Sequence, residues 1–272
     1  MAMATIGAYT SGFLSLNLGV PPLIGLLAGG AMAAAASYGL GSLCLRMRGP
    51  YLALTTIAFS ESFRLIMSSE FEVTRGTLGL SVPPLVAQWG AFKMPYYFLM
   101  LAVLGISLFV MARILSSRLG LFFRSIREDE DAASVMGVDT TKYKILAFTI
   151  GGFFAGVAGA FFGHYLQLVS PIMGSLGEMG LVISMVVVGG TESLAGPVMG
   201  ALMLEVASEY FRVYGELYKV LFGLLMILTL RFMPRGLLLP LLKRAAAKIG
   251  PQLGIRPSTA RPISMHQGHG SI

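Results

Sequence analysis

The sequence predicts an all-α fold, a polytopic transmembrane bundle of about seven spanning or partly spanning helices with one short charged helix on the cytosolic side. Hydrophobic residue types make up 55% of the chain and charged types only 12%, about half the charged share of a soluble domain. Three runs without a charged residue reach the roughly 20 residues that a spanning helix needs. Helices also satisfy their backbone hydrogen bonds within one segment, as lipid requires. The three runs are Pro21–Leu45, Met94–Ala112 and Ile145–Gly177.

The individual spans follow from apolar runs that are separated by Gly, Pro and charged residues. Those in the C-terminal third are short or broken by glycine, and such segments are tolerated at membrane depth where they pack on protein or line a pathway. We predict a transmembrane domain over residues 1–243 and a basic, disordered cytosolic tail over residues 244–272. The predicted spans are Pro21–Leu45, Pro50–Ser68, Met94–Leu115, Ile145–Leu168, Ser193–Phe211 and Leu217–Phe232, with Ala2–Leu18 as a weak span and Met179–Gly190 as a segment that is short for a span.

The basic residues predict the orientation of the chain in the membrane. When the polar stretch 116–144 is placed inside and the spans alternate, 15 of the 20 Lys and Arg residues fall on the inner side. This asymmetry matches the bias of Lys and Arg toward the cytosol. The net charge of +7 therefore has a source in membrane topology and does not indicate a nucleic-acid partner.

The densest charge in the chain predicts a cytosolic helix of about three turns over Arg124–Gly137. Acidic residues lie in its first half, where the helix dipole favours them, and Gly137 ends it, after which Asp139 or Thr140 caps the next span. Such a helix is either a lever for a partner protein or a solvated connection, and the residues alone leave both open. The residues of interest are Arg124, Arg127, Glu128, Asp129, Glu130, Asp131, Ala132, Ala133 and Gly137.

Five motifs in order resemble the branched-chain amino acid permease family of ATP-binding-cassette importers, most closely its M-type subunit. Asp131-Ala-Ala-x-x-x-Gly137 resembles the EAA motif of importer permeases, with Asp in place of Glu. The likeness runs from about Met3 to Lys243. Family members usually carry one or more helices before the Ile6–Tyr9 region, so we expect this chain to lack them. The other motifs are Arg48–Phe59 followed by Glu61 and Arg64, Thr74–Leu80, Gly189–Ala201 and Arg231–Leu237.

The resemblance implies a function, a location and a set of partners. The chain would move branched-chain or related amino acids across the bacterial inner membrane by alternating access, and its cytosolic segment would be the coupling helix that docks on an ATPase subunit. The implied partners are an H-type permease, two ATP-binding-cassette ATPases and a periplasmic or extracellular substrate-binding protein. ATP would be used by those partners, with no cofactor in this chain.

The residues themselves contain no sign of an enzyme. The sequence has no G-x-x-x-x-G-K-[ST] phosphate loop, no H-E-x-x-H motif and no Cys/His cluster, so we predict no ATP hydrolysis, no catalytic residues and no metal site in this chain. The same machine carrying urea or short amides stays open as an alternative. A secondary transporter that works alone and a structural membrane protein belong to other classes and also stay open.

Charged and small residues within the predicted spans are the remaining candidates. Glu61 and Arg64 share a helix face at i and i+3, and charges at membrane depth usually face the protein interior. They either line or gate the pathway or form a structural pair, which we favour; Glu205 raises the same question. The predicted pathway or gating residues are Glu61, Arg64, Thr74, Gly76, Gly189 and Gly190.

A stripe of glycines in the fifth predicted span indicates close helix packing. Their spacing of four, three and four residues places them on one helix face, where small residues let backbones approach in lipid. A moving interface is the alternative that stays open. His164 in the same span is expected to be a hydrogen-bonded histidine rather than a proton relay, and Cys44 a structural residue. The stripe consists of Gly152, Gly156, Gly159 and Gly163.

Overall fold

The computed structural model describes residues 1–44, 50–85, 94–190, 193–211 and the single residue 223. The predicted span Leu217–Phe232, the predicted tail at 244–272 and the motif Arg231–Leu237 lie outside the described residues, except for residue 223. The helices are α1 (Ala2–Asn17), α2 (Pro22–Cys44), α3 (Pro50–Ser69), α4 (Phe71–Thr74), α5 (Met94–Leu115), α6 (Arg118–Glu128), α7 (Glu130–Val135), α8 (Thr140–Leu166), α9 (Leu176–Gly189) and α10 (Ala195–Phe211).

The predicted all-α membrane fold is confirmed. Within the described ranges α2, α5 and α8 are long and apolar enough to cross a bilayer, and α9 is a shorter apolar helix. The one sheet in the same ranges joins two short antiparallel strands, β1 (Leu80–Ser81) and β2 (Leu168–Val169). The chain is therefore a helical multi-pass membrane protein with a small β-pair between helix ends.

The prediction that Asp139 or Thr140 caps the fifth span is confirmed, and the prediction of one helix over Arg124–Gly137 is wrong. Helix α8 begins at Thr140, before the apolar span predicted from Ile145, because the Asp139 carboxylate accepts a hydrogen bond from the Lys142 amide (3.1 Å) and supplies the N-cap. The predicted single helix Arg124–Gly137 is two helices, α6 and α7. Asp129 between them is extended (φ −154°, ψ 109°), and its carboxylate accepts from the Ala132 amide at 2.9 Å.

The break at Asp129 has a physical reason. A short acidic side chain competes with the helix for backbone amides and prefers the N-cap position, which lies outside the helix. Charge placement along the segment had suggested one continuous helix, but the capping preference of this residue outweighs the intrahelical bonds that the break removes. The extended backbone at Asp129 therefore changes the direction of the chain between α6 and α7.

Helices α1, α2 and α8 pack backbone to backbone. A Cβ atom on Gly7 of α1 would lie 2.2 Å from the carbonyl oxygen of Gly156 on α8, and one on Gly29 of α2 would lie 2.5 Å from the carbonyl oxygen of Gly7. Any side chain at these positions would force the helices apart, since real Cβ contacts are much longer. Glycine is therefore what permits the central contact of this part of the fold.

The chain divides into two compact units, Met1–Ile183 and Ser184–Ile272. In the second unit the end of α9 packs on α10 through a glycine contact, because a Cβ on Gly189 would lie 1.9 Å from the Gly196 carbonyl oxygen. A Cβ on Gly200 would likewise lie 2.0 Å from the carbonyl oxygen of Met185. Each unit thus uses small residues to bring helices together.

Candidate functional site

The end of α7 is fixed by its backbone. Gly137 has a positive φ of 85°, which glycine adopts without the steric cost that other residues incur. Its amide donates to the Ser134 carbonyl (3.0 Å), and the Val138 amide donates to the Ala133 carbonyl (3.1 Å). These two bonds form a Schellman C-cap. The prediction that Gly137 ends this helix is confirmed.

Two side-chain contacts tie α6 and α7 to the first turns of α8, which Asp139 caps directly after the α7 turn. The Lys144 ammonium of α8 pairs with the Glu130 carboxylate of α7 at 2.5 Å, and the Tyr143 ring stacks on Phe122 of α6 with centroids 4.6 Å apart. The α6–α7 segment, called the bracket below, is therefore held on one end of α8.

Two apolar side chains form the tip of this bracket. Val135 is 87% exposed and Met136 is 85% exposed, whereas Ala133, two residues earlier, is buried. Sequence analysis missed both residues because the charged residues before them dominate the pattern of this segment. The available signal was an apolar pair directly before a glycine C-cap in an otherwise charged segment. Exposed apolar residues of this size on a fixed turn are typical of a protein contact.

The predicted residues of the charged segment fall into three groups by exposure. Ala133 is buried against the bracket, and Glu130 is half-buried in its pair with Lys144. The remainder are exposed on α6, α7 and the turns that bound them. These exposed residues are Arg124, Arg127, Glu128, Asp129, Asp131, Ala132 and Gly137.

Glu61 and Arg64 form an ion pair within α3. The Arg64 Nε lies 3.0 Å from both Oε1 and Oε2 of Glu61, and the Arg64 Nη2 also contacts Oε1. Because each side chain satisfies the other, neither charge stands isolated at membrane depth. This geometry agrees with the structural-pair interpretation, while a pathway role for the two residues stays a prediction.

Thr74 and Gly76 shape the turn that follows α3. The buried Thr74 hydroxyl donates to the Met67 carbonyl (2.7 Å) and faces the Glu70 carbonyl, and it accepts from the Gly76 amide (3.2 Å). Arg75 and Gly76 both adopt positive φ values, 55° and 56°. The Thr74 hydroxyl is therefore fully used by the backbone, and the two residues hold a strained turn.

Gly189 and Gly190 lie where α9 ends. Gly189 contacts Gly196 as described above, and Gly190 has a positive φ of 96°. Its amide still donates to the Val186 carbonyl at 2.9 Å, so Gly190 terminates the helix. Glu192, which follows this pair, lies outside the described residues. Glu205 in the same unit is exposed on α10.

The glycine stripe of α8 contacts two neighbouring helices. On Gly152 a Cβ would lie 1.8 Å from the Ser37 Oγ of α2, and on Gly159 it would lie 2.0 Å from the Ala4 carbonyl oxygen of α1. Gly156 meets both helices, and Gly163 meets the Val169 side chain at 2.6 Å. The stripe is therefore a packing surface along its length.

His164 joins three parts of the fold. It is 1% exposed, with Nδ1 2.7 Å from the Pro83 carbonyl oxygen and Nε2 2.8 Å from the Ser11 Oγ of α1. A carbonyl oxygen only accepts, so Nδ1 carries a proton. Both ring nitrogens are thus used in holding the segment after β1 and helix α1, as expected of a hydrogen-bonded histidine. Cys44 is buried at the end of α2.

The described residues contain no cluster of three or more His, Cys, Asp or Glu side chains that could hold a metal ion. The fold and these contacts define a helical multi-pass membrane protein whose polar bracket is held on one end of a spanning helix. Residues 1–230 match the family model for the permease component of the branched-chain amino acid transport system. The chain belongs to this family.

Curated relatives agree with the family assignment. The chain is 34% identical over 259 residues to the high-affinity branched-chain amino acid transport system permease protein LivM of Escherichia coli K12, an alignment that covers 86% of this chain and 61% of that protein. It is 34% identical over 140 residues to LivH of Salmonella typhimurium, covering 51% and 44% respectively.

A probable branched-chain amino acid transport permease protein LivM of Methanocaldococcus jannaschii is 24% identical over 212 residues, covering 71% of this chain and 61% of that protein. The chain thus spans about three fifths of the length of the LivM proteins that it matches. No solved structure matches it.

Proposed function

We propose that this chain is a membrane-spanning permease subunit of an ATP-driven importer that carries branched-chain amino acids across a bacterial inner membrane. The observation that carries the proposal is the apolar tip of α7, which is exposed on a capped turn. The Glu130–Lys144 ion pair holds α7 on α8, and the Phe122–Tyr143 stack holds α6 on the same helix. Membership of the permease family and similarity to both LivM and LivH support it.

The partners in this proposal follow from the same features. The α6–α7 bracket docks on one of two ATP-binding-cassette ATPases in the cytosol, where Val135 and Met136 enter an apolar pocket and the exposed charges form the polar rim. An H-type permease completes the pathway, and a binding protein delivers the amino acid from outside. The chain itself is no enzyme, since ATP is hydrolysed by the partners.

The bracket connects the conformational change of the ATPases to the helices in the membrane. ATP binding closes the ATPases and displaces α7, and the Glu130–Lys144 pair and the Phe122–Tyr143 stack carry that displacement to the first turns of α8. Helix α8 packs rigidly on α1 and α2 through glycines, so these helices move together. Access then switches from the outer to the inner side.

Uptake in proteoliposomes that contain the complete transporter tests the energy source. We expect leucine uptake to require ATP and to stop when the phosphate-loop lysine of the ATPase partners is replaced. Uptake that continues without a functional ATPase and collapses with the ion gradient would identify a secondary transporter instead. Saturating uptake of urea or a short amide, without leucine uptake, would select the alternative cargo.

The docking role of α7 is tested by placing charge on its tip. Val135→Asp combined with Met136→Asp should lower ATP-dependent uptake at least tenfold, since two carboxylates would have to be desolvated at the contact. Ser117→Asp is the matched control, because it adds a carboxylate at the exposed N-cap of α6 without touching the tip.

Gly137→Pro, or charge reversal of Glu128 and Asp131, should also uncouple hydrolysis from uptake while the protein still inserts. Normal uptake in the tip variant, in Gly137→Pro and in the charge-reversal variant would remove α7 from the mechanism.

A further inference from the structure

The charges of the bracket and of the α5 end before it are separated by sign. From residue 94 to residue 127 the sequence contains no Asp or Glu, and the next four residues, Glu128–Asp131, are all acidic. The basic part holds four exposed arginines, and none of them forms an ion pair with another described residue. Helix α6 is therefore basic and the start of α7 acidic. The four arginines are Arg113, Arg118, Arg124 and Arg127.

Helix α6 is held at the ends of two helices that are long enough to cross a membrane. Its start packs on the end of α5, because a Cβ on Gly120 would lie 2.0 Å from the Leu115 carbonyl oxygen. Further along, Phe122 stacks on Tyr143 of α8 and Phe123 meets the same ring edge-on, with centroids 6.4 Å apart. Tyr143 comes two residues before the uncharged run of α8, where tyrosine is typical of the membrane interface. Both anchors thus favour a position of α6 at the level of the lipid headgroups.

The side of α6 that faces away from α8 combines an apolar residue with two arginines. Leu121 is 66% exposed, and Arg118 and Arg124, three residues before and after it, are exposed as well. Phe122 and Phe123 lie on the other side of the helix, against Tyr143. An exposed leucine flanked by arginines is typical of a helix that lies in the membrane interface, with its apolar residue toward the acyl chains.

Arg113 ends an exposed apolar stripe of α5. Ile106 and Phe109 are exposed, and Arg113 follows them on the same helix face at a spacing of three and four residues. The one buried residue of this helix, Tyr96, lies near its opposite end. A long arginine side chain in such a place keeps its apolar stem on the stripe while its charged group reaches the headgroups. The planar guanidinium also binds phosphate through two parallel hydrogen bonds.

We infer that Arg113, Arg118 and Arg124 form a site for anionic phospholipid headgroups, with Leu121 among the acyl chains. Charge complementarity selects this occupant, since the site carries three positive charges and no negative one. The same lipid surface repels Glu128–Asp131, which leaves α7 to contact a protein in the cytosol. The site goes beyond the proposed function, because binding needs only that the chain is inserted in the membrane.

Fluorescence quenching in the complete transporter tests the contact itself. In a Cys44→Ser background, a fluorophore on Leu121→Cys should be quenched by lipids with brominated acyl chains, and a fluorophore on Met136→Cys should not. At equal mole fraction, brominated phosphatidylglycerol should quench Leu121→Cys at least tenfold more effectively than brominated phosphatidylcholine. Each arginine near an anionic surface favours that surface about fivefold.

Arginine variants show whether the preference comes from the site. Arg118→Gln should lower the preference for phosphatidylglycerol about fivefold, and adding Arg113→Gln should lower it further. Lys142→Gln is the matched control, because it removes an exposed cation from the first turn of α8 and should keep the preference. Arg124 is left in place, since it also belongs to the predicted coupling segment.

Transport in vesicles of defined composition separates a lipid contact from a protein contact. ATP-dependent leucine uptake should rise at least threefold when phosphatidylcholine vesicles are replaced by a mixture with phosphatidylglycerol, because lipid bound to α6 steadies the bracket. Arg113→Gln with Arg118→Gln should lose most of this rise, and Lys142→Gln should keep it. A double variant that keeps the full rise, but takes up less leucine in both membranes, would assign the arginines to a protein partner and overturn the site.

The site and the proposed function fail in different ways. No quenching of Leu121→Cys, or equal quenching by the two lipids, would overturn the site, and this comparison needs no arginine variant to assemble. If the preference for phosphatidylglycerol depends on Arg118 but uptake does not require ATP, the proposed function falls and the site stands. If uptake requires ATP and the preference is absent, the site falls and the proposed function stands.

Discussion

At the scale of single residues, glycine does the most to determine this fold. The contacts of Gly7, Gly29 and Gly156 place three helix backbones against one another at distances that leave no room for a Cβ atom. Gly151 of α8 has no atom within 4 Å of where its Cβ would be, whereas a Cβ on the adjacent Gly152 would lie 1.8 Å from the Ser37 Oγ. Two adjacent glycines of one helix therefore have very different constraints.

This difference predicts opposite outcomes for two alanine substitutions in α8. Gly159→Ala would place a Cβ 2.0 Å from the Ala4 carbonyl oxygen, and we expect about 1–3 kcal/mol of destabilisation from overpacking. Gly151→Ala gains the same helix propensity without a clash. Thermal unfolding in detergent should show a lower Tm for Gly159→Ala only. Equal Tm values for the two variants would show that α1 and α8 do not pack as described.

At the scale of elements, the division between α6 and α7 decides what the charged segment can do. A single helix over Arg124–Gly137 would expose its charges but would not present its apolar end on a separately capped turn. The turn at Asp129 instead starts a separate six-residue helix, α7, whose apolar end is presented between two caps. Its link to α8 is the Glu130–Lys144 pair, in which the two side chains are 31% and 23% exposed.

A charge swap tests whether this pair transmits movement rather than stability. Partly exposed ion pairs contribute only about 0–1 kcal/mol, so Glu130→Gln and Lys144→Gln should leave the Tm nearly unchanged. We expect each to lower the amount of leucine taken up per ATP hydrolysed. The double variant Glu130→Lys with Lys144→Glu should recover part of that ratio, although a lysine at the start of α7 opposes the helix dipole. Failure of the swap to recover any coupling would assign the link to the Phe122–Tyr143 stack.

At the scale of the whole molecule, α5 is the one helix among the described residues between the turn after α3 and the α7 tip that is long and apolar enough to cross a membrane. This predicts that those two points face opposite sides. Both carry exposed residues, since Leu78 is 71% exposed and Met136 is 85% exposed. The distribution of Lys and Arg predicts that Met136 faces the cytosol.

Labelling of single cysteines checks this orientation. In a Cys44→Ser background, a membrane-impermeant maleimide added to intact spheroplasts should modify Leu78→Cys and leave Met136→Cys unmodified. Inverted vesicles should give the reverse. The Cys44→Ser chain without an added cysteine serves as the background control, because Cys44 is the one cysteine of the sequence. Modification of Met136→Cys from the outside would overturn both the orientation and the docking of an ATPase on α7.

Sequence patterns predicted well wherever one local preference acts alone. Apolar runs gave α2 and α5 nearly to the residue, Gly137 gave the end of α7, and the i, i+3 spacing gave the Glu61–Arg64 pair. The motif around Thr74 suggested a pathway residue, and that role stays a prediction. Sequence patterns did not indicate that its hydroxyl bonds to the Met67 and Glu70 carbonyls and to the Gly76 amide, because such backbone bonds depend on how the turn folds back.

The amino-acid sequence by itself determined the class of protein, since hydrophobicity, helix length and charge bias are properties of segments that lipid selects one at a time. Tertiary structure alone decided which polar groups stay free. Glu61 within α3 and Glu70 directly after it are the same residue type, yet among the described residues Glu61 pairs with Arg64 and Glu70 has no ion pair. Likewise, the Thr10 hydroxyl donates locally to the Ile6 carbonyl, while the buried Tyr9 hydroxyl has no hydrogen-bond partner among the described residues. Whether a group is free depends on packing between segments distant in the chain, which no local pattern records.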